Sequence, residues 1–106
     1  MERITSKEAL QELLNDKKPF VLLKHSLTCP ISATAKDAVS SFEKSSDVPV
    51  YMIPIQEARD VSLEVTAQLE IKHESPQAFY LDGEKVIWHG SHFDITEKAL
   101  SEAVSS

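Results

Sequence analysis

The chain has one cysteine, Cys29, in the run Thr28-Cys29-Pro30-Ile31-Ser32, where an apolar stretch gives way to a helical pattern. A sulfur at a helix N-terminus meets unpaired amides and the positive end of the helix dipole, which favour a thiolate, so Cys29 is expected to be a nucleophile. A dithiol oxidoreductase would carry a second cysteine three positions on, ready to attack the mixed disulfide made by the first. That position holds Ser32, whose hydroxyl can hydrogen-bond a thiolate but cannot close a disulfide. Cys29, Ser32 and the helix-starting Pro30 are the catalytic candidates, and the second half of any exchange must come from another molecule.

Few other residues are placed to join this chemistry. Lys24 and His25 end the apolar run before Cys29, and strand alternation lets one of them face the sulfur; His25 is the expected one. Ser75-Pro76 precedes a later strand, and Trp88 to His92 form a polar turn ahead of the last helix. No two histidines share the close helical spacing of a metal-ligand pair, and no metal site is expected.

The elements that must position these residues can be read from periodicity. Thr5 with Glu8 reads as a capping box opening a helix over about 6–15, with Ala9, Leu10, Leu13 and Leu14 on one face. Pro19 to Leu23 is the unbroken apolar run of a strand buried on both faces. From Pro30 the apolar positions Ile31, Ala35, Ala38, Val39 and Phe42 step by three or four, giving a second helix to about Lys44. Val48 to Ile55 is strand-like, but Pro49 and Pro54 remove amide donors, which predicts a sheet-edge strand or a short one between the prolines. Asp60 is a candidate cap for a helix burying Val61, Val65 and Leu69. Ala78 to Leu81, Asp82-Gly83, then Glu84 to Trp88 predict a hairpin with a type I′ turn. Asp94 with Glu97 starts a last helix burying Ile95, Ala99, Leu100, Ala103 and Val104, before a Ser105-Ser106 end expected to fray.

This order is α/β. A crossover between parallel strands followed by a hairpin predicts a mixed sheet of about four strands sandwiched by helices, which is a thioredoxin-like core. Ligands of such sheets gather beyond the carboxyl ends of parallel strands, where Cys29 lies. At 106 residues the chain is expected to be one domain, 1–106. It lacks an apolar run long enough for a membrane span and an N-terminal signal stretch, so a cytoplasmic protein without a membrane partner is expected. One cysteine excludes an internal disulfide framework, and a net charge of −6 disfavours nucleic acid as a partner.

Thr28-Cys29-Pro30-Ile31-Ser32, preceded by Lys24-His25-Ser26 and followed by Glu74-Ser75-Pro76, resembles the signature of the monothiol bacilliredoxins. These YtxJ-like, thioredoxin-fold proteins belong to bacteria that use bacillithiol in place of glutathione. The resemblance covers nearly the whole chain. It implies that Cys29 attacks the disulfide between a protein cysteine and bacillithiol, releases the protein and retains bacillithiol. It implies bacillithiolated proteins and bacillithiol as partners, with bacillithiol as thiol co-substrate and no tightly bound cofactor. A further thiol or a reductase would then free Cys29. By likeness to thioredoxin folds Pro76 should be cis and face the cysteine, leaving the Ser75 backbone to pair with substrate. By likeness to glutaredoxins the turn at Ser91, His92 and Asp94 should hold a carboxylate of the small thiol. Thr28, Ile31, Ser75, Pro76, Ser91 and His92 are therefore the expected substrate-binding residues.

Two other readings compete. A noncatalytic thioredoxin-fold adaptor or redox sensor would have its cysteine capped under oxidation and would not turn over. An arsenate reductase of the glutaredoxin-like kind would need arginines at the cysteine, and the chain has only Arg3 and Arg59, both outside the Cys29 segment.

Overall fold

The computed structural model describes residues 1–105. In chain order the elements are β1 (Glu2–Arg3), α1 (Lys7–Asn15), β2 (Pro19–His25), α2 (Pro30–Lys44), β3 (Val50–Pro54), α3 (Arg59–Leu69), β4 (Gln77–Asp82), β5 (Lys85–Ser91), a 3-10 turn (His92–Asp94) and α4 (Glu97–Ser105). The sheet order is β1-β3-β2-β4-β5, with β1, β3 and β2 parallel and β4 and β5 antiparallel to their neighbours. The sheet is mixed, as expected, but has five strands rather than about four, because two residues of the N-terminal segment add a strand beyond β3.

Period-2 alternation along the strands divides the core. Val21, Leu23, Val50, Met52, Ala78 and Tyr80 point to α2 and α4, where Ala35, Val39, Phe42, Leu100 and Ala103 meet them. Phe20, Leu22, Ile53, Phe79 and Leu81 point the other way, onto Leu10 and Leu14 of α1 and Val61 and Val65 of α3. β2 is buried along all but its first residue, which explains its unbroken apolar run. No helix among the described residues is long and apolar enough to cross a membrane.

Several local expectations are corrected. Ser6, not Thr5, caps α1, its hydroxyl accepting from the Ala9 amide at 3.1 Å. Of the two alternatives for the third strand, the short one between the prolines holds: β3 is an interior strand of 5 residues, with Pro49 before it and Pro54 at its end. Ala58 holds the cap position of α3 and Asp60 lies in the first turn, where it can meet the helix dipole but is not the cap. In the hairpin Asp82 pairs with Lys85, so the loop is Gly83-Glu84, and only Gly83 has a positive φ (62°). A type I′ turn needs two such residues, so the loop is of the kind that opens on glycine. A register shift between Tyr80 and Leu81 turns Val86 toward the α1/α3 core and Trp88 toward the α2/α4 core. Thr96, not Asp94, caps α4: its hydroxyl accepts from the Ala99 amide at 3.0 Å, and Asp94 belongs to the preceding 3-10 turn. α4 runs through Ser105, and Ser106 lies outside the described residues.

Candidate active site

Cys29 occupies the cap position of α2 with extended backbone (φ −96°, ψ 123°), and Pro30 follows as the first helical residue. The proline has no amide to leave unpaired, so the open amides of the first turn begin at Ile31. The thiol is half-buried and unpaired. Its pKa is held below the ordinary value, first by the Ser32 amide, then by the Ile31 amide, with the Ser32 hydroxyl adding a smaller effect against a weak desolvation penalty. Ser32 itself is fully buried, and its hydroxyl oxygen accepts from the Ser26 amide at 3.3 Å. The side chain expected from spacing to stand by the sulfur is therefore fixed from behind by the loop it faces.

His25 and Lys24 point to opposite faces of the sheet. His25 lies on the α2 side near the Ser32 backbone and the Lys36 charge, and burial followed by that charge lowers its pKa. The shift disfavours the charged imidazole, and the influences on the Cys29 thiol come from Ser32 and Ile31 rather than from His25. Lys24 is fully buried on the α3 side, where its ammonium donates to Thr66 Oγ1 at 3.0 Å and contacts His73 Nδ1 at 3.2 Å. Burial pushes its pKa down to about 8.

Lys24 pairs with Gln77, so β2 leaves the sheet at the end where β4 enters it. This brings the Ser75-Pro76 loop to the end of the sheet that carries Cys29. The Ser75–Pro76 peptide bond is cis, as the resemblance implied. Gln77, also buried, steadies the loop: its Oε1 accepts from the Glu74 amide at 3.3 Å and its Nε2 donates to the Lys72 carbonyl at 3.0 Å. The His92 amide donates to the Pro76 carbonyl at 3.0 Å, tying the turn before α4 to the same loop, and that turn packs on α2. Ser75, Pro76, Ser91 and His92 thus come together, while Thr28 and Ile31 flank Cys29 in sequence with Thr28 exposed.

Two residues of this region had no role assigned from the sequence: Glu74 entered only as part of the Glu74-Ser75-Pro76 resemblance, and Gln56 not at all. The Ser91 hydroxyl donates to the Glu74 carboxylate, and that contact, with the charges of His92, Lys72 and His73, holds the carboxyl below the usual range. The turn expected to hold a substrate carboxylate therefore already contains one from the chain. It borders a hollow of about 320 Å³ lined in part by Glu74, Ser91 and Asp94. Gln56, just beyond β3, reaches the Cys29 loop: its Oε1 accepts from the Leu27 amide at 3.0 Å, and its Nε2 donates to Ser26 Oγ at 2.9 Å and Thr28 Oγ1 at 3.5 Å. No local pattern marks Gln56, and the motif around Glu74 does not announce what its carboxylate does; only the shared sheet end could have suggested either role.

A partly exposed thiolate on a helix N-terminus beside a cis-proline loop can carry out thiol-disulfide exchange, and comparison with known proteins agrees. Residues 2–100 match the family described as monothiol bacilliredoxin BrxC. A solved structure described as having a thioredoxin fold aligns with a TM-score of 0.92 and 35% identity, over 97% of this chain and 92% of the other. Mitochondrial thioredoxin 3 from Saccharomyces cerevisiae aligns at a TM-score of 0.78 and 13% identity, over 99% and 93% of the two chains. Thioredoxin from Fasciola hepatica aligns at 0.76 and 15%, over 99% and 97%. The two thioredoxins share the fold alone at these identities, whereas the family match runs through the Cys29 segment and the Pro76 loop together. The thiol-redox function read from the site is that of the family, and the chain belongs to the monothiol bacilliredoxins.

Proposed function

We propose that the protein removes bacillithiol from protein mixed disulfides by a one-cysteine route. The Cys29 thiolate attacks the bacillithiol sulfur, a new S–S bond forms to Cys29, and the substrate protein leaves as a thiolate that takes a proton from solvent. A second thiol, bacillithiol itself or a reductase, then attacks the Cys29 disulfide and restores the starting thiolate. The observation that carries this reading is the placement of Cys29 on the first amides of α2, with Ser32 at the position where a resolving cysteine would stand. Thr28, Ile31, Ser75, Pro76, Ser91 and His92 are the proposed substrate contacts, Ser75 through its backbone. The proposal includes no tightly bound cofactor, a single domain, and a cytoplasmic setting in which the thiol stays reduced.

The test is turnover of a bacillithiolated protein with bacillithiol as recycling thiol, followed by mass spectrometry of both proteins. Release of many equivalents per chain, with a bacillithiol adduct on Cys29 and no release by Cys29→Ala, is the expected result. Release of one equivalent or less would indicate an adaptor or sensor and overturn the enzymatic reading.

A further inference from the structure

The loop between β2 and α2 carries the nucleophile, and its side-chain anchor comes from outside both elements. Gln56 lies 29 residues from Leu27 in sequence, yet its amide engages three consecutive loop residues, accepting from the backbone of Leu27 and donating to the hydroxyls of Ser26 and Thr28. Ser26 in turn donates its own amide to the buried Ser32 oxygen. A hydroxyl whose oxygen is occupied by a donor on one side keeps its proton for an acceptor on the other; Cys29 stands at the cap of α2 and Ser32 at its third residue, the two positions whose side chains meet over the first turn, so the sulfur is the acceptor within reach. Three hydrogen bonds from one planar group fix the loop better than three separate side chains, because only one side chain has to be ordered.

We propose that Gln56 is a positioning residue for the nucleophile: it fixes Ser26, and through the Ser26 amide it sets the direction of the Ser32 hydroxyl toward Cys29. Gln56 touches neither the sulfur nor the reacting disulfide in this scheme. Its side chain is exposed, so its replacement leaves the core intact. The inference rests on Cys29 being the nucleophile proposed above. Turnover by the unaltered protein tests that reading and titration of the thiol in the variants tests this one, so the two can fail separately.

The experiment is the rate of Cys29 alkylation by iodoacetamide against pH in the full chain, for Gln56→Ala, Gln56→Asn, Ser32→Ala and the double variant Gln56→Ala/Ser32→Ala. Gln56→Ala removes all three bonds, and Gln56→Asn keeps the amide but is one methylene too short. Both are expected to raise the midpoint of the profile by a few tenths of a pH unit, a fraction of one hydrogen bond to an anion, because the Ser32 hydroxyl is the smallest of the influences on the thiol. Ser32→Ala should raise it as well, and adding Gln56→Ala to Ser32→Ala should move it no further, since the relay has already lost its last member. A midpoint unmoved in both Gln56 variants would overturn the proposal. So would a shift that adds in full to that of Ser32→Ala, which would mean Gln56 acts on the sulfur by another route. Should Gln56→Ala fail to fold, Gln56→Asn carries the same arms alone and in combination.

Discussion

At the scale of the residue, the chemistry is set by how the first turn of α2 treats one sulfur. The amides of Ser32 and Ile31 hold the Cys29 pKa below its ordinary value, so the thiolate fraction in the folded chain exceeds that of a free cysteine. A group of this kind contributes stability above its unfolded pKa and loses that contribution as pH falls through its folded one. The difference in urea stability between the native chain and Cys29→Ala is therefore expected to grow as pH rises toward the ordinary thiol pKa; a pH-independent difference would contradict the assigned shift. Ser32→Cys tests the geometry instead. Oxidation with a substrate disulfide should consume both thiols in an internal bond, and two thiols still titratable by a chromogenic disulfide would show that the positions do not face each other. Cys29, Pro30 and Ser32 were legible in the sequence because their relation lies within one helical turn. The roles of Gln56 and Glu74 were not, because each acts on a residue in another element and local spacing does not announce that.

At the scale of the element, the clearest anomaly is a lysine without exposure in the central strand. Lys24 lies on the α3 side of β2, the side of Leu22, and it is held by a hydroxyl and an imidazole rather than a carboxylate. Its pKa falls from 10.5 to about 8, and burial is the cause. A base with a lowered folded pKa binds fewer protons folded than unfolded between those two values, so stability rises with pH across that window. Relative to Lys24→Met, the native chain should gain on the order of 2 kcal/mol between pH 8 and 10.5, allowing for the solvent that reaches the neighbouring exposed His73. Equilibrium urea unfolding of both proteins across that range checks it, and parallel pH curves would refute it. Periodicity revealed the elements well, since the helices here bury one face each and the central strands, buried on both faces, read as unbroken apolar runs. It failed at their ends and missed one strand: Ser6 and Thr96 took caps assigned to neighbours, and β1 was not seen beside β3. A two-residue strand has no period to detect, and a cap is decided by where the chain turns.

At the scale of the whole molecule, the charge of −6 acts on any charged partner that must approach Cys29. Exchange with an anionic small-molecule disulfide should speed up as ionic strength rises from about 0.01 to 0.15 M, because the Debye length shrinks from roughly 30 to 8 Å and repulsion is screened. A cationic aminothiol disulfide should slow down over the same range, and equal salt dependence for the two would show that the overall charge is not felt at the site. The architecture was legible at this scale because the order of strands and helices, together with the hairpin, leaves few ways to assemble a mixed sheet.

The strand that delivers the nucleophile is paired along its length on one side by β3 and on the other by β4, whereas the three residues after it hang on the side chain of Gln56. Amide deuteration should therefore change abruptly within a few positions: Val21 to Lys24 among the last protons to exchange, Ser26 to Thr28 among the first. Attaching a thiol to Cys29 should alter deuterium uptake only beyond that step. The molecule can then accept and shed its cargo without disturbing the framework that aims the sulfur.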